Sequence, residues 1–321
     1  MTDGFGRTVD YLRISVTDRC NLRCRYCMPA EGVEDVGHGN ILGFEDIERI
    51  VRAAVGLGFR KFRLTGGEPL IRRGVVGLVE RIAAVRGVAD LAMTSNGTLL
   101  ARAAADLKAA GLARVNVSLD TLRADRYRDI TRGGELSDAL SGIRAAESAG
   151  LVPIRVNVVA MRGFNDDEIS DFARLTREHP WDVRFIELMP LGEAAGLGPA
   201  YVSVREIKTA LRGFAPVPDG GGATEVARYY RYPGAPGRVG LISPLSSHFC
   251  GDCNKLRLTA DGRIKTCLHS DREMDVKPAL RAVGEAPLRA LLREAVLSKE
   301  ERHLIREGKV STARGMSKIG G

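Results

Sequence analysis

No stretch of the chain approaches the roughly 18 consecutive apolar residues of a membrane span, although 44% of its 321 residues are hydrophobic. Met1 to Arg7 include Asp3 and lack the apolar run of a secretory signal, so the expected location is the cytoplasm. Cysteine is sparse: six residues are too few to scaffold a chain of this length with disulfides. Also missing are any internal repeat beyond a βα rhythm and any concentrated basic arm. With a net charge of +8, the second absence speaks against nucleic acid as the partner. It leaves a solvated basic surface or a local pocket for a small polyanion.

What is present is an α/β pattern, long enough for one large domain or two. From Tyr11 to Met189 short β-branched runs alternate with amphipathic stretches, as in βα units around a parallel sheet. Strands are expected at Tyr11–Thr17, Arg60–Thr65, Ala89–Thr94, Arg114–Leu119, Pro153–Ala160 and Val183–Leu188. Six units fall short of a closed (β/α)8 barrel, leaving an open partial barrel or a doubly wound sheet. Strand alternation separates the two. Arg13, Ser15 and Thr17 alternate with Leu12, Ile14 and Val16, and Lys61, Arg63 and Thr65 with Phe62 and Leu64. Asn116 and Ser118 alternate with Val115, Val117 and Leu119, and Arg155 shares a face with Asn157. A parallel strand covered by helices on both faces is apolar throughout. One repeatedly polar face therefore predicts a wet or ligand-filled lumen inside a partial (β/α)6 TIM-like barrel. Parity is mixed in the sixth strand, where Arg184 aligns with Ile186.

After Pro190 the rhythm changes to Gly/Pro-rich connections. Antiparallel-looking strands are expected over Ala223–Tyr232, Arg238–Ile242 and Leu256–Cys267, with helical periodicity over Pro287–Leu297. The expected division is a barrel over residues 8–200 and a C-terminal α+β extension over residues 201–321.

Two cysteine groups carry the chemistry. Cys20, Cys24 and Cys27 follow the first strand. Disulfides use thiols in pairs and a structural zinc closes with four ligands, whereas three thiolates on a four-iron cluster leave one iron open. Cys250, Cys253 and Cys267 form the second group, flanked by His248 and His269. There a Cys3His zinc site competes with a second cluster. Ligands of a βα barrel gather where strands end, and Gly66-Gly67-Glu68-Pro69, Ser95-Asn96, Asp120 and Met189 all fall at strand ends. The glycine pair lets backbone approach a ligand closely, and Glu68 can accept hydrogen bonds from an amine.

The first triad, with Tyr26 just before its last cysteine, resembles the signature of the radical S-adenosylmethionine (SAM) superfamily. The resemblance implies a [4Fe-4S] cluster on Cys20, Cys24 and Cys27, with Gly66, Gly67 and Glu68 at the SAM amino group. It places Thr94, Asn96, Ser118 and Met189 along SAM and the backbone of Tyr26 at its adenine.

Over nearly its full length the chain also resembles the GTP 3',8-cyclase family, or molybdenum cofactor biosynthesis protein A. The likeness rests on Arg13-Ile-Ser-Val-Thr-Asp-Arg-Cys20, Phe164-Asn-Asp-Asp-Glu168, Phe185-Ile-Glu-Leu-Met-Pro190, the second triad and the Gly320-Gly321 ending. It implies conversion of GTP to 3',8-cyclo-7,8-dihydro-GTP, the first step of molybdenum cofactor biosynthesis. A second [4Fe-4S] cluster on Cys250, Cys253 and Cys267 would meet the purine through a free iron. Arg13, Lys61, Arg63, Arg184, Lys255 and Arg257 would hold the triphosphate; Arg257 would also manage charge near the substrate. Lys255 departs from the family's usual arginine, keeping charge without the bidentate fork. The tail Thr312–Gly321 would bring Gly320 and Gly321 into the active site.

Implied partners are a flavodoxin- or ferredoxin-type electron donor, the downstream cyclic pyranopterin monophosphate synthase and a second copy of the chain, with neither nucleic acid nor membrane. The alternative is a radical SAM peptide-modifying enzyme with an auxiliary cluster. A metal-stabilised nucleic-acid-binding protein is a third reading, against which the polar lumen speaks.

Overall fold

The computed structural model describes residues 1–33, 37–217, 226–307 and 314–320. Six strands form where the alternation places them: β1 (Tyr11–Ser15), β2 (Lys61–Thr65), β3 (Asp90–Ser95), β4 (Arg114–Ser118), β5 (Arg155–Ala160) and β6 (Asp182–Glu187). They lie side by side in chain order and all run parallel. Between them run α1 (Phe44–Gly56), α2 (Val75–Ala83), α3 (Leu100–Ala109), α4 (Ala124–Thr131), α5 (Leu136–Ser148) and α6 (Ile169–Glu178). Leu12, Ile14, Phe62, Leu64, Val115, Val117 and Val156 are buried on one sheet face with Ile47, Ile50, Leu78, Ile82, Leu107 and Phe172 of the helices. At about 1.5–3 kcal/mol per buried side chain, this layer holds the barrel wall. The opposite face carries the polar set.

The C-terminal part extends the same sheet at both edges. Its strands are β7 (Ala215–Pro216), β8 (Arg228–Arg231), β9 (Arg238–Ile242), β10 (Lys255–Leu258), β11 (Arg263–Lys265) and β12 (Glu273–Asp275). β9 adds parallel to β6 and β10 adds parallel to β1. The full order is β12-β11-β10-β1-β2-β3-β4-β5-β6-β9-β8-β7, with only the outer strands antiparallel.

Two sequence expectations change here. Leu256–Cys267 is a hairpin rather than one strand, because the chain reverses at Gly262, whose φ is +86°. Its first arm and β9 are parallel rather than antiparallel additions. Leu256 and Leu258 register with Leu12 and Ile14, so joining β1 in parallel extends its apolar face without a register slip. Of the strand expected over Ala223–Tyr232, positions 223–225 lie outside the described residues.

Among the described residues four more α-helices follow: α7 (Val204–Ala210), α8 (Lys277–Arg281), α9 (Ala286–Leu297) and α10 (Met316–Ile319). α7 starts at a capping box, Ser203 and Glu206 each accepting the other's backbone N–H. Among the described residues, no helix is long and apolar enough to cross a membrane.

Parallel strands make the two ends of the sheet unlike. The loops after β1 to β6 share one end, and Cys20, Cys24 and Cys27 lie there. Cys250 and Cys253 precede β10, and Cys267 follows its antiparallel neighbour β11, so the second triad lies at the other end. Five residues of parallel strand separate the ends by about 16 Å.

Candidate active site between two cysteine triads

At the first end Gly66 and Gly67 fold against the loop that leads into Cys20. A Cβ on Gly67 would stand 2.3 Å from the carbonyl oxygen of Arg19, and one on Gly66 2.6 Å from that of Thr17. The pair therefore serves a backbone-to-backbone approach, sealed by Gly67 N–H to Thr17 O (2.8 Å) and Glu68 N–H to Arg19 O (2.8 Å). This locks Glu68 to the cysteine loop. The buried Glu68 carboxylate accepts from Asn96 N–H (2.7 Å), Leu70 N–H (3.0 Å) and Ser95 Oγ (3.0 Å). Burial pushes its pKa up to about 7 against these donors. Asn96 donates to Asn21 (2.9 Å) and toward Cys20 Sγ (3.8 Å).

Tyr26 donates its hydroxyl to Asp120 (2.7 Å), whose other oxygen accepts from Val159 N–H (2.8 Å). The Thr94 hydroxyl is buried with no partner among the described residues. Ser118 closes β4, and Met189, partly buried, follows β6. Burial raises the thiol pKa of Cys20, Cys24 and Cys27, the last to about 12.

Inside the sheet the cations converge. With its amide oxygen turned toward them, Asn116 accepts from Arg63 and from Arg184 Nη2 (2.5 Å). Arg184 also donates twice to Asn157 (2.9 and 2.7 Å). Side chains from β2 and β6 thus meet on β4, two strands from each, which requires a concave sheet. Tyr11 lies between the cations of Arg63 and Lys255, 5.6 and 5.4 Å from its ring centre; sequence reasoning did not single it out. Burial, then mutual repulsion among the basic groups, brings Lys255 down to about 8, and burial brings Arg184 to about 10. Among the described residues Arg63, Arg184, Lys255 and Arg257 have no carboxylate partner. Lys61 differs: it stands at the start of β2, a third exposed, paired with Asp10 at 3.4 Å.

The tail enters this group. Arg13 Nη2 (3.2 Å) and Arg257 Nη1 (2.8 Å) both donate to the carbonyl oxygen of Gly320. Gly320 has φ +68°, and a Cβ there would stand 2.2 Å from Thr65 Oγ1. Gly321 lies outside the described residues.

At the far end Cys250, Cys253 and Cys267 are free and partly buried. The rings of His248 and His269 stand 5.7 and 5.5 Å from that of His303, and burial with His303 pushes His269 down to about 3. Among the described residues no three His, Cys, Asp or Glu side chains are arranged to hold a single metal ion. The donor sets of two separated free-thiol triads suit thiolate-bound clusters, and the orphaned Thr94 hydroxyl near the end of β3, with the Glu68 carboxylate just past the end of β2, suits a polar cofactor with an amine.

Motif positions away from the lumen are explained by bracing. Asn165 accepts from Met161 N–H (2.7 Å) and donates to Asp120 O (2.7 Å) and Val159 O (2.8 Å). Glu168 accepts from Thr121 Oγ1 and Leu122 N–H, both at 2.7 Å. Glu187 accepts from Tyr201, Val204, Leu245 and Ser246. Each fixes a loop at the SAM-expected end.

A model of the Radical SAM superfamily matches residues 14–176, and one described as Molybdenum Cofactor Synthesis C matches residues 181–305. The fold and the first triad thus define a radical SAM enzyme. Over full length on both sides, the chain is 51% identical to the GTP 3',8-cyclase of Alkaliphilus oremlandii (strain OhILAs) and 52% identical to that of Moorella thermoacetica. The chain belongs to the GTP 3',8-cyclase family, and its cofactors are SAM and two [4Fe-4S] clusters. Among solved structures it superposes on Streptococcus suis SuiB bound to precursor peptide SuiA with a TM-score of 0.65. That match has 16% identity and covers 89% of this chain and 67% of SuiB. At that distance the likeness is one of fold.

Proposed function

We propose that the chamber between the triads binds GTP and converts it to 3',8-cyclo-7,8-dihydro-GTP, the first step of molybdenum cofactor biosynthesis. One observation carries the assignment of the chamber: Arg63, Arg184, Lys255 and Arg257 are gathered in a desolvated lumen where, among the described residues, none of the four pairs with a carboxylate, an arrangement that a triphosphate neutralises. Cys20, Cys24 and Cys27 hold the first cluster, and Cys250, Cys253 and Cys267 the second. When bound, the first cluster would supply the electron for reductive cleavage of SAM, and the second a free iron for the purine. Glu68 receives the SAM ammonium, with Gly66 and Gly67 holding that carboxylate in place. Thr94, Asn96, Ser118 and Met189 line SAM, and the Tyr26 backbone meets the adenine. Arg13, Lys61, Arg63, Arg184 and Lys255 orient the triphosphate so that C3' of the ribose faces the SAM end; there its hydrogen atom would pass to the 5'-carbon released from SAM, C3' would join C8 of guanine, and one electron from the donor protein with one proton would complete the 7,8-dihydro product. Arg257, with Gly320 and Gly321 of the tail, manages charge beside the substrate. The protein's part is orientation and exclusion of water.

The barrel occupies residues 8–200, and residues 201–321 supply the second cluster region and the tail. The family requires an electron donor; a flavodoxin- or ferredoxin-type protein fits that role, in the cytoplasm, with cyclic pyranopterin monophosphate synthase taking the product and a homodimer as the assembly.

Anaerobic reaction of the reconstituted protein with dithionite, SAM and GTP should give 5'-deoxyadenosine and a cyclised nucleotide. Arg63→Ala should weaken GTP binding by about 1.5–3 kcal/mol, the range for hydrogen bonds to charged groups, and leave SAM binding intact. Unchanged GTP binding in both Arg13→Ala and Arg63→Ala would point to a peptide substrate instead.

A further inference from the structure

Just beyond α9, Lys299 is 4% exposed, and nothing in the sequence motifs draws attention to it. Its Nζ donates to the carbonyl oxygens of Lys255 and Thr266, both at 2.8 Å, and toward Cys253 Sγ at 3.8 Å. Three acceptors use the three N–H bonds of an ammonium, so Lys299 has no donor left for substrate. Among the described residues no carboxylate pairs with it. A buried charge without a counter-charge is costly, and the group placed to supply one is the Cys253 thiolate.

The backbone around Lys299 is tied to the same triad. Arg7, itself paired with Asp3 at 2.6 Å, donates to Glu300 O (2.7 Å), Glu301 O (2.8 Å) and Cys250 O (2.9 Å). The nearby Glu300 carboxylate is turned to Ser270 Oγ (2.8 Å).

We propose that Lys299 is a positioning residue of the second cluster: it joins the first residue of β10 to the segment after β11, and its charge compensates the Cys253 thiolate and raises that cluster's reduction potential. Reduction adds negative charge to a cluster, and a buried cation donating to a ligand sulfur favours the reduced state. The inference rests on the second triad holding iron and sulfide, which iron, sulfide and zinc analysis of the unsubstituted protein tests separately.

The test uses the full chain, reconstituted anaerobically, as Lys299→Met and Lys299→Arg. Cluster content is measured chemically, and both midpoint potentials by redox titration followed by electron paramagnetic resonance. The expected result is a shift of the second cluster to more negative potential, or its selective loss, in Lys299→Met. Lys299→Arg should recover cluster and potential at least in part, with the first cluster unchanged in both. Two clusters with unaltered potentials in Lys299→Met would overturn the proposal. So would equal loss of the second cluster in both variants, which marks a packing role, or loss of both clusters in both, which marks a folding role.

Discussion

Glu68 shows how a single carboxylate can link pH to cofactor binding. Its folded pKa of about 7 stands above the ordinary 4.5, so between those values the folded chain keeps a proton that the unfolded chain has released. This group's contribution to stability is therefore present below pH 4.5 and lost as pH rises through 7. A bound ammonium reverses the preference by favouring the carboxylate. SAM affinity should rise with pH through about 7, approaching tenfold per unit well below it. Anaerobic equilibrium binding at pH 6 and pH 8 measures the slope, and Glu68→Gln should flatten it; a flat profile in the unsubstituted protein would put the amine elsewhere. At this scale the sequence was partly legible. Alternation pointed to Arg13, Arg63, Asn116 and Asn157, because a period of two survives any loop variation. It left Arg184 ambiguous since Glu187, on the other parity, is itself buried and polar as the acceptor of four donors. Tyr11, Arg7 and Lys299 gave no signal, since each works through a contact between segments far apart in the chain.

Elements are placed by pattern but held together by bonds that leave no pattern. The six central strands and α9 were readable from periodicity, whereas the edge positions of β9 and β10 follow from which edges of the central sheet remain to be paired. Glu168, at the end of the Phe164-to-Glu168 motif, is such a bond. In Glu168→Ala the partly buried Leu122 N–H and the buried Thr121 hydroxyl lose their acceptor, at a cost of up to about 1–3 kcal/mol per orphaned group. The thermal midpoint should fall accordingly, read by circular dichroism of the reconstituted protein. The tail makes a different prediction. Gly320→Ala adds a Cβ into the 2.2 Å gap to Thr65 Oγ1 at a positive φ, with backbone strain of about 1–3 kcal/mol. α10 should then leave the lumen, so that trypsin cuts after the partly buried Lys318 faster than in the unsubstituted protein. Equal cleavage rates, followed by mass spectrometry, would mean that the tail tolerates the methyl group in place.

Across the whole molecule the two triads have different charged neighbours. Carboxylates Glu68 and Asp120 stand near the first triad, adding to the burial that raises Cys20 and Cys27, while Arg7 and Lys299 stand at the second. Arg7→Ala should release the Cys250 carbonyl and the turn at Glu300–Glu301 together. Iron per chain should then fall toward about half, as when a supporting shell loses its grip on one of two sites, with the first cluster's resonance spectrum retained; full iron content would show the remaining contacts to be sufficient. The single sheet also has a consequence for the order of events during synthesis. β1 to β6 are complete by Glu187, but β9 ends at Ile242 and β10 at Leu258. At ordinary ribosomal speeds the growing chain carries two open parallel edges for about 3–11 s, and one of them for about 4–14 s. Edges of that kind invite wrong partners, so translation halted near residue 200 should yield aggregate rather than a free-standing half.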